Sequence, residues 1–316
     1  MKSTFLKVLT VCLIGSVMVA CGGKDKPEGS ADSDQKYTIA YIGYSSTNPF
    51  WNALASSAQE SANSLNVKFL DLTASSPEMA QQKMAIDNAI IKRVDGLVVG
   101  AVDSRGLGGS FDKAQKAGIP IVTVDTRVDH PAVVSHIATD NIAAARLAGE
   151  YIANKLNNRG KVLVLGGSTG SQTADDRQTG VEEILGQYED MEVIFRVANW
   201  DAKQANEITN NILSSQDNLG AVFAACDPMI FTAMQAVKSK DKLGEVVLVG
   251  FDAIPAVLKA IDQNEINATV RQDPGRMGLE GVKLLVNHLN GEEVPAYIPI
   301  SAELVNTTNI KQYVAN

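Results

Sequence analysis

Most residues of this chain that could do chemistry fall in short polar clusters, each placed just after an apolar run. They are Asp125-Thr126-Arg127, Gly166 to Ser171 with Arg177 beyond, Asn199-Trp200-Asp201, Cys226-Asp227, Asp252, and Arg271-Gln272-Asp273. Carboxylates accept, guanidinium groups donate and amides do both, which suits a ligand rich in hydroxyls, because each hydroxyl also donates and accepts. Such a site discriminates sharply, since an analogue lacking one hydroxyl leaves a buried partner unpaired.

A further cluster, Asn48-Pro49-Phe50-Trp51, adds a flat wall. Asn is a favoured N-cap and Pro a favoured first helical residue, so a helix is expected to start here. It would start at the carboxyl end of a strand, where open α/β sheets bind ligands. Phe50 and Trp51 beside a capping amide offer an apolar face with a polar edge, fit for a sugar or another small polar ring. Trp51 and Trp200 are the two tryptophans of the chain.

Each residue also has a plainer reading. An Asp after a strand is often an N-cap, and for Asp227, followed by Pro228, capping is preferred over ligand contact. Arg127 could serve a surface ion pair and Trp200 lobe packing. The set is more specific than any member.

Nothing in the spacing supports catalysis. The three histidines, His130, His136 and His288, sit in no Ser/His/Asp or metal pattern, and Cys226 has no evident His partner. Gly166 to Ser171 lacks the Lys of a P-loop, and Asp262 to Ile266 starts like a calcium loop but lacks its Gly. No catalytic residue, metal or cofactor is expected.

Positioning these clusters requires alternating strands and helices. Strands are expected at Tyr37 to Tyr44, Val67 to Leu70, Gly96 to Val99 and Ile119 to Val124, with helices from Pro49, about Pro77 and about Gly106. A second series follows: Lys161 to Leu165, Glu192 to Val197, Ala221 to Ala224 and Val246 to Phe251, with helices from about Asp175, Ala202 and Pro228. Two such series imply an α/β fold of two similar doubly wound lobes, each a parallel sheet covered on both faces, with a cleft between them. A strand at Ala268 to Arg271, a helix from about Gly275 to Leu289 and one extended stretch from Tyr297 to Leu304 remain. They read as returns into the two lobes.

The N-terminus supplies an address. Lys2 and Lys7 flank the start of an apolar run, Val8 to Ala20, too short to span a membrane and expected to be a secretory signal over residues 1–20. Residues 21–35, rich in Gly, Lys, Asp and Ser, read as a flexible tether. Removing the signal leaves 296 residues, enough for two domains with full cores. The whole chain has formal charge −8 with 45% apolar residues and no basic run interleaved with aromatics, so nucleic acid is not an expected partner.

Met18-Val19-Ala20-Cys21-Gly22 resembles the lipobox of bacterial lipoproteins, which implies that Cys21 is acylated and that the membrane is met only through this anchor. The alternative is an ordinary cleaved leader. With Cys12 in the leader and Cys21 acylated, Cys226 stands alone and no intrachain disulfide is expected.

The motifs Asn48-Pro49-Phe50-Trp51, Thr123-Val124-Asp125, Ser135 to Asn141, Asn199-Trp200-Asp201, Val249-Gly250-Phe251-Asp252 and Ala268 to Gln272 stand in an order and spacing that resemble one family. It is the sugar-binding group of type I periplasmic binding proteins, nearest to ribose- and allose-binding proteins, over Tyr37 to about Asn309. The resemblance implies a two-lobed receptor that closes on one monosaccharide and delivers it to the permease subunits of an ABC transporter. Its lobes would be residues 37–138 plus 273–299 and 140–271 plus 301–316, joined by three hinge strands near Ala138 to Asp140, Arg271 to Asp273 and Pro299 to Ser301. Asn48, Phe50, Trp51 and Asp125 would meet the sugar from the first lobe. Arg177, Trp200, Cys226, Asp252 and Gln272 would meet it from the second lobe and hinge. The implied location is the extracytoplasmic side of a bacterial membrane.

Three positions depart from the ribose-type pattern. Thr126 stands where that pattern has Arg, so Arg127 comes one place late and on an extended segment would point the other way. Cys226 replaces an Asn, and its thiol hydrogen-bonds weakly. Tyr44 takes the place of a small hydroxyl residue. Tyr44 and Arg127 are therefore secondary candidates, and a deoxy sugar or a polyol joins the ligands to consider. The same closure could signal to a chemoreceptor or sensor kinase instead of a permease, and an exported sugar-acting enzyme is the remaining alternative class.

Overall fold

A computed structural model describes residues 35–216 and 218–314 of the chain. The signal segment, nearly all of the tether and Cys21 lie outside the described residues. The first series runs β1 (Thr38–Ile42), α1 (Pro49–Ser64), β2 (Lys68–Asp71), α2 (Met79–Ile91), β3 (Gly96–Val99), α3 (Gly108–Lys116), β4 (Ile121–Val124) and β5 (Val133–Thr139). The second runs α4 (Asn141–Lys155), β6 (Gly160–Gly166), α5 (Gln172–Leu185), β7 (Met191–Val197), α6 (Ala202–Ser215), β8 (Leu219–Ala224), α7 (Asp227–Ser239), β9 (Val247–Asp252), α8 (Pro255–Asp262) and β10 (Ala268–Arg271). The chain ends with α9 (Pro274–Leu289), β11 (Tyr297–Ile300) and β12 (Glu303–Asn306).

The strands form two six-stranded sheets, ordered β11-β5-β4-β3-β1-β2 and β12-β10-β9-β8-β6-β7. Every residue of β3 and β4 is buried, as parallel strands covered on both faces require. Alternation along β1 shows why: Ile39 and Tyr41 join a cluster with Leu54 and Leu285 beneath α1 and α9, whereas Ala40 and Ile42 join Ile86 and Phe111 beneath α2 and α3. The second sheet has a single large cluster that includes Val164, Phe223, Leu248 and Phe251.

The chain passes between the sheets three times, after β5, after β10 and between β11 and β12. Two of the passages return α9 and β11 to the first sheet and then send β12 to the second. β12 pairs antiparallel with β10, so the second sheet is not wholly parallel as expected. The reason is directional. Strands that enter the cleft run toward it, whereas β12 leaves Ile300 at the cleft end, meets Arg271 through Glu303, and must run away. Tyr297 to Leu304 is accordingly two strands in two sheets rather than one stretch.

Sequence periodicity misses three elements. β5 is foreshadowed only at His136, because Ser135, His136 and Thr139 interrupt its apolar run while being buried. α4 buries mainly small residues, Ala144, Ala145, Ala148, Gly149 and Ala153, which leave a faint apolar stripe. α8 is only 8 residues long. Among the described residues no helix is long and apolar enough to cross a membrane.

Candidate ligand-binding cleft

The side chain of Asn48 accepts the Phe50 N–H at 2.9 Å, and Pro49 occupies the first turn of α1. This cap fixes Phe50 and Trp51, both buried, edge to face with centroids 5.3 Å apart. Tyr44 stacks on Trp51 at 5.9 Å. Gly100 follows β3 where any Cβ would overlap the Trp51 ring, so the absent side chain is the seat of the tryptophan.

The second lobe repeats the device. Asn199 and Trp200 adopt left-handed backbone with φ of 54° and 59°. Asn199 donates to Gln204 at 2.9 Å and Asp201 caps α6 through the Gln204 N–H at 2.7 Å. Asn199 and Asp201 thus hold the turn that aims Trp200, which lies over Gly167, where a Cβ would again overlap the ring. One glycine at a strand end seats one tryptophan in each lobe.

Arg177 is buried, with its guanidinium carbon 5.7 Å from the Trp200 ring centroid. Its Nε donates to Asn141 Oδ1 at 2.9 Å and its Nη1 to the Ala225 carbonyl at 2.7 Å, while the guanidinium carbon lies 3.8 Å from the Phe251 ring centroid. Its Nη2 stands 4.0 Å from Asp125 Oδ1 and its Nη1 stands 3.7 Å from Asp252 Oδ1, both too long for hydrogen bonds. Burial pushes both carboxyls above the usual range, against the pull of Arg177. Asp125 Oδ1 is buried and has no hydrogen-bond partner. Asp125 and Asp252 both hold positive φ, 61° and 126°, a conformation that concentrates at functional sites.

The hinge is wired to these groups. Thr139, the last residue of β5, donates to Gln272 Oε1 at 2.6 Å, and Gln272 Nε2 donates to Asp252 at 2.7 Å. On the other side the Thr139 carbonyl accepts from Asn141 Nδ2 at 3.1 Å, and Asn141 in turn holds Arg177.

Asn48, Phe50, Trp51 and Asp125 line one cavity of about 550 Å³, counting its open mouth, with Arg177, Trp200, Cys226, Asp252 and Gln272 opposite. Tyr44 lines it too. Arg127 does not: it is exposed and donates to Asp129 at 2.7 Å, facing a neighbouring groove, as its place one residue late on the segment foretells. Asp227 corrects the capping expectation. It is the first residue of α7 rather than its cap, is fully buried, and accepts from Thr269 Oγ1 at 2.7 Å and the Ile254 N–H at 2.8 Å, anchoring the turn after Asp252. Cys226 holds the N-cap position without a side-chain cap bond. Its thiol is pushed up by burial and then by Asp252, and Tyr44 is pushed up to about 12, chiefly by burial, so both stay neutral.

Thr126 and Ser171, from the strand-end clusters, also line the cavity, as do Ala101, Val102 and Thr173, which those clusters do not include. Ala101 and Val102 follow β3, and the strand-end rule that found the others would have found them. Thr173 has no such signal, since it stands inside α5. Among the described residues no group of three His, Cys, Asp or Glu side chains could hold a metal ion.

Residues 39–293 match the model of the periplasmic binding protein domain family. The chain belongs to that family. The ribose import binding protein RbsB of Escherichia coli K12 is 30% identical over 276 residues, covering 87% of this chain and 93% of that protein. Among solved structures, an ABC transporter periplasmic solute binding protein from Actinobacillus succinogenes with bound D-allose is 27% identical, with a TM-score of 0.82 over 88% of this chain and 100% of the other. An ABC transporter solute binding protein from Bacillus halodurans with bound myo-inositol is 28% identical, with a TM-score of 0.81 over 90% of this chain and 99% of the other. The two sheets and the paired lobes are those of the type I members.

Proposed function

We propose that the protein is the solute receptor of a sugar ABC transporter, capturing one monosaccharide or polyol between its lobes and presenting the closed form to the permease. The observation that carries this is the convergence of Asp125, Arg177, Asp252 and two glycine-seated tryptophans, from both lobes, on one cavity. Ribose import and the bound D-allose and myo-inositol of its relatives point to the same chemistry.

The arrangement explains how closure is linked to binding. A hydroxyl between Arg177 and either carboxylate can accept from the guanidinium and donate to the acid, filling gaps of 4.0 and 3.7 Å that the protein alone leaves open. Asp125 and Arg177 belong to opposite lobes, so the bridge between them forms only when the lobes are shut, whereas Asp252 and Arg177 share the second lobe. Ligand therefore shifts the open-to-closed equilibrium by its differential affinity. Residues 37–138 plus 273–299 and 140–271 plus 301–316 are the proposed moving bodies, supported by the sheet membership of their strands.

Acylation at Cys21 would hold this receptor on the extracytoplasmic face of the membrane, with the tether giving it reach. The ligand leaves unchanged, since the cleft holds binding groups without a nucleophile paired to a base.

Calorimetry of the purified protein against pentoses, hexoses and polyols tests the reading. One ligand should bind at one site, and Asp252→Ala or Trp200→Ala should weaken it strongly. Parent-like binding by both variants would remove the cleft from the account.

A further inference from the structure

The hydrogen-bonding groups of the cavity are unevenly placed. Counting outward from the hinge, the first strand ends carry Asp125 after β4, Gln272 after β10 and Asp252 at the end of β9. Arg177 reaches this same side through Ala225, Asp125 and Asp252. The buried, unpartnered Asp125 Oδ1 adds an acceptor that the protein itself does not satisfy. A ligand must therefore present its hydroxylated edge to the hinge.

The next strand ends outward differ. They supply Ala101 and Val102 after β3, Cys226 after β8 and the ring of Tyr44 after β1. The backbone here is also withdrawn from use. Gln82 Nε2 donates to the Gly43 and Gly100 carbonyls at 3.2 and 2.8 Å, and Gln82 Oε1 accepts the Val102 N–H at 2.9 Å. One buried amide thus satisfies three backbone groups of the two loops that form this wall. Tyr44 and Asn48 after β1, with Ser171 and Thr173 across the cleft, carry strong hydrogen-bonding side chains, so the patch without one is Ala101, Val102 and the weakly bonding Cys226 thiol.

We infer that the ligand is a deoxy sugar, hydroxylated along the edge that faces Asp125, Arg177, Asp252 and Gln272, and bare carbon, a methyl or methylene, where it meets Ala101, Val102 and Cys226. The inference rests on the proposed sugar-binding function and narrows its ligand class. A hydroxyl placed against Ala101, Val102 and Cys226 would lose its water partners and meet only a weak thiol, whereas a methyl there gains from leaving water. The thiol, kept protonated by burial, adds no charge to attract a hydroxyl.

Matched pairs test it by calorimetry on the purified protein: L-rhamnose against L-mannose, L-fucose against L-galactose, 6-deoxy-D-allose against D-allose, and 2-deoxy-D-ribose against D-ribose. In at least one pair the deoxy member should bind about tenfold or more tightly than its partner. Cys226→Asn and the near-isosteric Cys226→Ser, which place a strong donor and acceptor on the wall, should both shrink that ratio. Equal binding, or tighter binding of the hydroxylated member, in every pair that binds would overturn the inference and leave sugar binding standing. Binding of a polyol alone would overturn the inference and leave the receptor reading standing, and failure of every pentose, hexose, deoxy sugar and polyol to bind would overturn both.

Discussion

The hydroxyl oxygen of Ser104, in the loop after β3, accepts the backbone N–H of Gln172 at 3.0 Å, so a residue of the first lobe satisfies the opening turn of α5 in the second. The Ser104 N–H donates in return to the Gly170 carbonyl at 3.3 Å. Ser104 does not line the cavity, yet it clasps the mouth. Ser104→Ala should raise the ligand dissociation rate about three- to tenfold, the loss of one modest hydrogen bond formed only on closure. Stopped-flow tryptophan fluorescence would read it. The melting temperature without ligand should not move, because the open form lacks the bond.

Gly100→Ala and Gly167→Ala should each displace a tryptophan, the first Trp51 and the second Trp200. Overpacking of this kind costs about 1–3 kcal/mol, and sugar affinity should fall with it. Gly109→Ala, in α3 with open space around its Cα, is the control and should leave both unchanged or raise stability slightly. Thermal melts and calorimetry on the three variants decide the point.

How much of this was legible in the sequence follows a physical division. Strand ends were legible because apolar runs of parallel strands are continuous and the polar residue that breaks each run stands at the cleft. Asp125, Asp252 and Gln272 were found this way, and Phe50 and Trp51 through the Asn48-Pro49 helix start. Residues that orient others left no such mark. Thr139, Asn141, Gln82 and Ser104 act through hydrogen bonds to groups distant in the chain, and Asp227 looked like a cap because its partners Thr269 and Ile254 lie far along it. The direction of β12 was equally hidden, since it depends on the end of the cleft at which the chain crosses.

His136 predicts a pH dependence. It is buried against Tyr297 with ring centroids 5.5 Å apart, and its Nδ1 lies 2.9 Å from Thr123 Oγ1. Burial, helped by Arg127, lowers its pKa to about 4. A histidine that charges more readily unfolded than folded contributes stability above about pH 6.5, and loses it as pH falls toward 4, by about 3 kcal/mol in all. The raised carboxyls of Asp125 and Asp252 act in the opposite sense, gaining stability as pH falls through their folded values. The comparison is therefore between variants: urea midpoints at pH 7.5 and 5 should differ less in His136→Asn than in the parent. An unchanged difference would mean that His136 is already charged when folded.

The central claim is that the two lobes shut around one hydroxylated ligand, and small-angle X-ray scattering measures that directly. The radius of gyration of the purified protein should fall when it is saturated with the sugar or polyol that calorimetry shows to bind. A saturating ligand that leaves the radius of gyration unchanged would contradict the account.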